Sequence, residues 1–297
     1  MATKAFAPGK LVLTGAYVVL EGAPAVAVAV SRGAIADAAR VAASPTPEVC
    51  AALGDGPAPE VDASSMFEGG RKLGLGASAA ILVASIAARE GDAVELASDR
   101  VRDAIFERAR AAHARAQSGG SGVDVATSVH GGAIVYRVGH PVVRVRLPDG
   151  LTVEVLACPN SARTTDLRAA VDRLAKRAPE AYRSRMQFLA GVAARAEDAV
   201  LAGDATGFVD ALRETARGLA ALGAAADVEI VPSGFDELEA LAAEDGAAFS
   251  VSGAGGGDVA VHVGPRAPTR RFLERARSLG LTSVPLSFDS EGVRRTR

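Results

Sequence analysis

The stretch Lys72-Leu73-Gly74-Leu75-Gly76-Ala77-Ser78-Ala79-Ala80 sets glycine, lysine and a hydroxyl immediately before an apolar helical run at 81–89. Gly74 and Gly76 lack a Cβ, so the backbone there can take positive φ and approach a ligand closely. A helix begins at Ala77, and the N–H groups of its first turn have no partner within the helix. Such a helix N-terminus favours anions and binds phosphate. Ser78 adds a hydroxyl in that first turn, within reach of a phosphate-bound Mg²⁺. The loop is not a Walker A sequence, because no Gly-Lys-Ser/Thr closes it. Taken alone, such a loop is more often an ordinary tight connection.

Two further stretches carry candidate chemistry. In Gly120-Ser121-Gly122-Val123-Asp124-Val125-Ala126 a glycine loop delivers one carboxylate, Asp124, near the start of a helical turn that ends at Gly131. The alternative is that Ser121 or Asp124 simply caps that helix. In Ser252-Gly253-Ala254-Gly255-Gly256-Gly257-Asp258 a glycine-rich loop enters the strand-like run 259–263. That loop either approaches a nucleotide, closes a substrate pocket, or is a wide β-turn with no ligand. Near the start of the chain, Pro8-Gly9 holds Lys10 at the beginning of a β-prone run, where a lysine is most simply solvated.

The elements that must hold these residues follow from patterning. Valine-rich runs at 11–15, 17–20 and 25–30, punctuated by Gly and Pro, read as strands joined by tight turns. The Pro-, Gly- and acid-rich segment 44–65 reads as a surface loop with irregular strand pieces. Leu96, Val101, Ile105, Ala109, Ala112 and Ala116 give 95–117 a helical spacing that stops at Ser118-Gly119-Gly120. Segments 134–137 and 142–147 read as a strand pair around Gly139-His140-Pro141. From Leu151 the texture changes: one strand at 153–157, a polar loop, then helical stretches at 165–178, 180–201 and 205–222. This places a domain boundary near residue 158, giving 1–158 and 159–297. A final helix at 269–279 and an edge strand at 283–288 complete the reading.

With 297 residues the chain is long enough for two domains or one large one. A composition 49% hydrophobic and 23% charged is that of a globular protein rather than a disordered one. A net charge of −2 gives no reason to expect a nucleic-acid partner. Cys50 and Cys158 are the only cysteines, which argues against a disulfide framework or a cysteine metal site and fits a reducing compartment. No apolar run approaches the ~20 residues of a membrane span, and the first residues carry no apolar signal segment. A cytoplasmic protein without a membrane partner is the expectation.

Three such loops in this order resemble the GHMP small-molecule kinases across essentially the whole chain. The first motif is similar to Ala7-Pro8-Gly9-Lys10…Gly15-Ala16-Tyr17, the phosphate motif to Gly74–Ala80, and the third to Ser252–Asp258. Within that superfamily, Ala112-His113-Ala114-Arg115-Ala116-Gln117…Gly120–Ala126 looks like the phosphomevalonate kinases. So do Val135-Tyr136-Arg137, Thr164-Thr165 and the triple glycine before Asp258. A mevalonate kinase is expected to show Pro-Ser-Gly-x-Asp, and a glutamate at the position of His113. The resemblance implies a two-lobed α+β fold, with a ribosomal S5 domain 2-like N-terminal lobe and a ferredoxin-like C-terminal lobe. ATP and substrate are then expected to meet in the cleft between the lobes.

It also implies roles. Lys72, Gly74, Leu75, Gly76, Ala77, Ser78 and Ala79 bind ATP, with Ser78 helping to place Mg²⁺. Lys10 bridges the transferred phosphoryl group and the attacking oxygen, and Lys72 can also hold the substrate's phosphate. Asp124 is either a general base or a positioning group. Tyr17, Ser121, Gly122, Arg163, Thr164, Gly253, Ala254 and Gly255 join Lys10 in contacting the acceptor, 5-phosphomevalonate. His113 either faces the site or is structural. The protein is expected to act as a monomer or a homodimer. The alternatives are mevalonate kinase, another GHMP kinase with an alcohol acceptor, or a non-catalytic metabolite sensor on the same fold. Three departures bear on substrate choice. Ala77 replaces the first serine of the phosphate motif, Ala16 replaces a glutamate, and the chain is short for a phosphomevalonate kinase.

Overall fold

The computed structural model describes residues 4–91, 93–117, 119–160 and 164–296. The chain divides into two compact units. One is built from Met1–Leu11, Ala27–Arg144 and Leu286–Arg297, the other from Val12–Val26 and Val145–Pro285.

The first unit is organised on strands β1 (Lys4–Val12) and β2 (Ala25–Val41). β1 is buried along almost its whole length, as its run of small and apolar side chains requires. It is followed by α1 (Pro47–Leu53), β3 (Pro59–Asp62) and a short hairpin of β4 (Phe67–Glu68) and β5 (Arg71–Lys72). Then come α2 (Ala77–Arg89), α3 (Asp99–Ala116), α4 (Val123–His130), β6 (Ala133–Tyr136) and β7 (Val143–Val145). Among the described residues the sheet runs from the C-terminal strand Arg294–Thr296 through β1, β2 and β6 to β7, with β3 paired to β2. α2 is alanine-rich and buried on nearly every face, which lets helix and neighbours approach closely. α3 buries Arg102, Ile105, Phe106, Ala109, Ala112 and His113 in one stripe at helical spacing.

The second unit contains a 3₁₀ turn at Val18–Glu21, then β8 (Thr152–Ala157), α5 (Thr164–Arg177), α6 (Pro179–Ala202) and α7 (Ala205–Ala226). α8 (Phe235–Glu244), β9 (Ala248–Val251), β10 (Val259–Gly264), α9 (Arg270–Ser278) and β11 (Thr282–Ser283) follow. β11, β8, β10 and β9 form an antiparallel sheet in that order. Its core joins Leu156, Phe249 and Ala260 of the sheet to Leu189 of α6, Leu222 of α7 and Phe272 of α9. Phe249 packs on Phe235 and Phe272 at ring separations of 5.0 and 5.3 Å, geometry that favours aromatic pairs. Asp204 and Thr269 cap α7 and α9 through Gly207 N and Phe272 N.

Four sequence expectations are corrected. The valine-rich segment 17–20 is a 3₁₀ turn, not a strand, because Gly15 and Tyr17 take φ of 85° and 65° and turn the backbone. Segment 44–65 holds a strand piece as read, β3, but also an unread helix, α1, with Thr46 as its cap and Pro47 in its first turn. Lys10 is the seventh residue of β1 rather than the start of a strand, because the strand begins at Lys4 and runs through Pro8-Gly9. The edge strand read at 283–288 is shorter and earlier, pairing Thr282 and Ser283 with β8.

Candidate active site

In the first unit the site is built on contacts that fix Lys10 against the glycine loop. Lys10 N donates to Leu75 O at 2.8 Å, and Lys10 Nζ donates to Gly74 O at 3.2 Å. Gly9 makes this approach possible, since a Cβ there would come within 2.7 Å of Leu75 O. Gly76 caps α2 with φ 79°, a left-handed conformation that glycine adopts without strain. A Cβ on it would lie 3.0 Å from Lys10 Cγ. The lysine stem therefore passes over the glycine that starts the helix.

The loop's side chains divide by burial. Leu75, Ala77 and Ala79 point inward and are buried, while Ser78 is half-buried at the first turn of α2. Ser78 Oγ lies 3.4 Å from His113 Nε2 and 3.4 Å from Gln117 Nε2, both on the C-terminal turn of α3. His113 Nε2 is also 3.8 Å from Asp124 Oδ2, so the imidazole stands between the serine hydroxyl and the carboxylate. Gln117 Nε2 donates to Glu48 Oε1 at 2.9 Å, linking α1 to the same cluster. Burial works against the charge on Glu48, but the hydrogen bond from Gln117 leads the interactions that hold its carboxyl below the usual range.

Asp124 occupies the second position of α4, where a helix N-terminus favours its charge. Its Oδ1 accepts from Val125 N at 3.0 Å. The preceding loop is held by Tyr136, whose hydroxyl donates to Ser121 O at 2.5 Å, and by Val123 N, which donates to Ser121 Oγ. α4 is in turn pinned to β1: Ser128 Oγ donates to Pro8 O at 2.7 Å, two residues before Lys10. Lys10, Ser78 and Asp124 thus sit on three elements that are hydrogen-bonded to one another directly or through one side chain. Lys72, on β5, is exposed.

The remaining candidates belong to the second unit. Ser252 Oγ accepts from Val12 N at 3.0 Å, and Gly253 N donates to Val12 O at 3.0 Å. Tyr17 is buried with its hydroxyl donating to Ala254 O at 2.7 Å, and burial pushes its phenol pKa well up. Gly255, with φ 78°, admits Ile230 O to within 2.2 Å of where a Cβ would stand. Thr164 is the exposed first residue of α5. Arg163 lies outside the described residues. The sequence marked Gln117 and Tyr136 only as parts of resembling stretches and did not mark Glu48 or Ser128; the i, i+4 spacing of His113 and Gln117 puts both on one helix face.

The cluster offers a helix N-terminus for anions, a lysine beside it, one hydroxyl and one carboxylate. No group of three or more His, Cys, Asp or Glu side chains forms a metal cage among the described residues. A Mg²⁺ carried on phosphate oxygens needs only one or two protein ligands, and Ser78 Oγ is placed to be one. The arrangement suits phosphoryl transfer, in which alignment and charge neutralisation do most of the work.

No family model matches the chain. It is 29% identical over 258 residues to phosphomevalonate kinase of Streptomyces sp. strain CL190, covering 77% of this chain and 68% of that protein. A solved protein from Listeria innocua superposes with a TM-score of 0.82 at 20% identity, covering 99% of both chains. Streptococcus pneumoniae phosphomevalonate kinase, solved with phosphomevalonate and AMPPNP, superposes with a TM-score of 0.75 at 17% identity, covering 97% of this chain and 99% of that one. Among the described residues no helix is long and apolar enough to cross a membrane.

Proposed function

We propose that this chain, which has the two-lobed α+β fold of the GHMP kinases and resembles phosphomevalonate kinase in sequence, is an ATP-dependent kinase of 5-phosphomevalonate. The products are 5-diphosphomevalonate and ADP, a step of the mevalonate route to isoprenoids. An oxygen of the acceptor's phosphate forms a bond to the γ-phosphorus as the bond from that phosphorus to the departing ADP oxygen breaks. The observation that carries the reading is the hydrogen-bonded placement of Lys10 on the glycine loop that starts α2.

In this reading the N–H groups at Gly76–Ala79 and the N-terminus of α2 hold the nucleotide phosphates. Ser78 Oγ would be the protein ligand of a Mg²⁺ carried on the nucleotide, and that ion would supply neutralisation of phosphate charge. Lys10 Nζ offsets the charge that builds between the attacking oxygen and the transferred group. The acceptor's phosphate has a second pKa of about 6, so its attacking oxygen is already mostly ionised near neutral pH. Asp124 then has no proton to remove and acts by orientation. Lys72 is assigned to the substrate's phosphate, and Ser121 and Gly122 to the wall of the acceptor site. The protein works in the cytoplasm as a monomer or homodimer.

The test follows ADP release from Mg·ATP with mevalonate, 5-phosphomevalonate and 5-diphosphomevalonate offered separately. Turnover confined to 5-phosphomevalonate is expected. Turnover with mevalonate alone keeps the kinase and changes the acceptor, and no turnover with any of them overturns the assignment.

A further inference from the structure

The Ser78 hydroxyl is held by a chain of groups that begins on a different helix. Glu48 is the second residue of α1 and only 7% exposed, so its carboxylate is inside the protein rather than on its surface. Its Oε1 accepts from Gln117 Nε2 at 2.9 Å, and the same nitrogen lies 3.4 Å from Ser78 Oγ. An ionised carboxylate only accepts hydrogen bonds, so it fixes which end of the Gln117 amide faces it. The NH₂ group has two hydrogens. With one committed to Glu48 in a charge-assisted bond, the other is directed at Ser78 Oγ. Ser78 Oγ therefore accepts from Gln117, and it also lies 3.4 Å from His113 Nε2. That leaves a defined lone pair for a ligand outside the protein.

We propose that Glu48 and Gln117 are positioning residues, which fix the Ser78 hydroxyl for the metal-bound nucleotide. The proposal rests on the kinase reading above, because it takes Ser78 as a ligand of Mg²⁺. Neither residue touches the reacting atoms. Their effect is to remove the rotational freedom of one hydroxyl before the nucleotide arrives.

The test is a calorimetric titration of the full chain with ADP, with and without Mg²⁺. Gln117→Met keeps the length of the side chain and loses both hydrogen bonds. It is expected to weaken Mg·ADP binding about fivefold while metal-free ADP binding changes less than about twofold. Glu48→Leu should behave like it, whereas Glu48→Gln should retain most of the affinity because an amide oxygen still accepts from Gln117. In a Ser78→Ala background, Gln117→Met should add nothing further. Equal weakening with and without Mg²⁺, or full additivity with Ser78→Ala, overturns the proposal. If Glu48→Leu does not fold, the Gln117–Ser78 cycle decides alone. A wild-type chain that binds no ADP under either condition overturns the kinase reading itself, a result distinct from a failed cycle.

Discussion

Lys10 and Asp124 are both charged residues of the proposed site, yet the geometry gives them unequal weight. Lys10 Nζ rests on Gly74 O, at the loop that precedes α2, and its stem passes over Gly76. Lys10→Met keeps that packing and removes the charge, so kcat should fall about 10²–10³-fold. Nucleotide affinity, measured by titration, should stay within about threefold, because the helix N-terminus still holds the phosphates. Near-wild-type turnover would remove Lys10 from the mechanism. Asp124→Asn should cost less than the roughly 10²–10⁴-fold typical of a lost general base, since a phosphate acceptor arrives already ionised. A single-turnover measurement showing a larger loss in the chemical step would return Asp124 to the base role. Both residues were readable in the sequence because each follows glycine closely, Asp124 at the start of α4 and Lys10 directly after Gly9, although Lys10 lies late in β1 rather than at its start. Glu48 was not, because its importance comes from burial and from Gln117, which is 69 residues away in sequence. Nothing local marks a surface-type residue that the fold turns inward.

At the scale of elements, the position of Lys10 depends on how β1, α2 and α4 are tied. β1 meets the glycine loop through Lys10 N and Leu75 O, and it meets α4 through Ser128 Oγ and Pro8 O. Ser128 is 1% exposed, so Ser128→Ala leaves the Pro8 carbonyl without that donor inside the protein. The expected loss is about 1–3 kcal/mol of stability, read from urea unfolding, with a fall in kcat from a less constrained Lys10. An unchanged unfolding midpoint would show that other contacts hold β1. The long helices α3, α5, α6 and α7 were legible because their apolar spacing is sustained over many turns, and β8 and β10 because of their valine runs. α1 was hidden by its own start signal: Pro47 looks like a breaker until Thr46 is seen as its cap. The turn at Val18–Glu21 was misread for the opposite reason, since its valines suit a strand and only the backbone at Gly15 and Tyr17 excludes one.

At the scale of the whole molecule, stability should depend on pH through groups remote from the proposed chemistry. His262 of β10 is 1% exposed, packs edge-on to Phe272 at 4.9 Å, and has no hydrogen-bond partner for Nδ1 among the described residues. Burial lowers its pKa to about 4 from an ordinary 6.5. A folded pKa below the unfolded value means that the unfolded chain binds the proton first as pH falls. The neutral imidazole's contribution is therefore complete above pH 6.5 and is lost between about 6.5 and 4. Burial acts in the same sense on His130. Glu239 opposes both: burial raises its pKa to about 7, so its contribution is present below its unfolded value and lost as pH rises toward 7. The net curve of the wild-type protein is thus flatter than the two histidines together would give, and a difference between variants is the sharper test. His262→Phe keeps an aromatic ring against Phe272 and has no proton to bind. Relative to wild type it should gain up to about 3 kcal/mol of unfolding free energy between pH 7 and pH 4. Urea titrations of both proteins at the two pH values measure that gain. A difference that does not change with pH would mean that His262 is protonated in the fold as readily as in the open chain, and that acid sensitivity arises elsewhere.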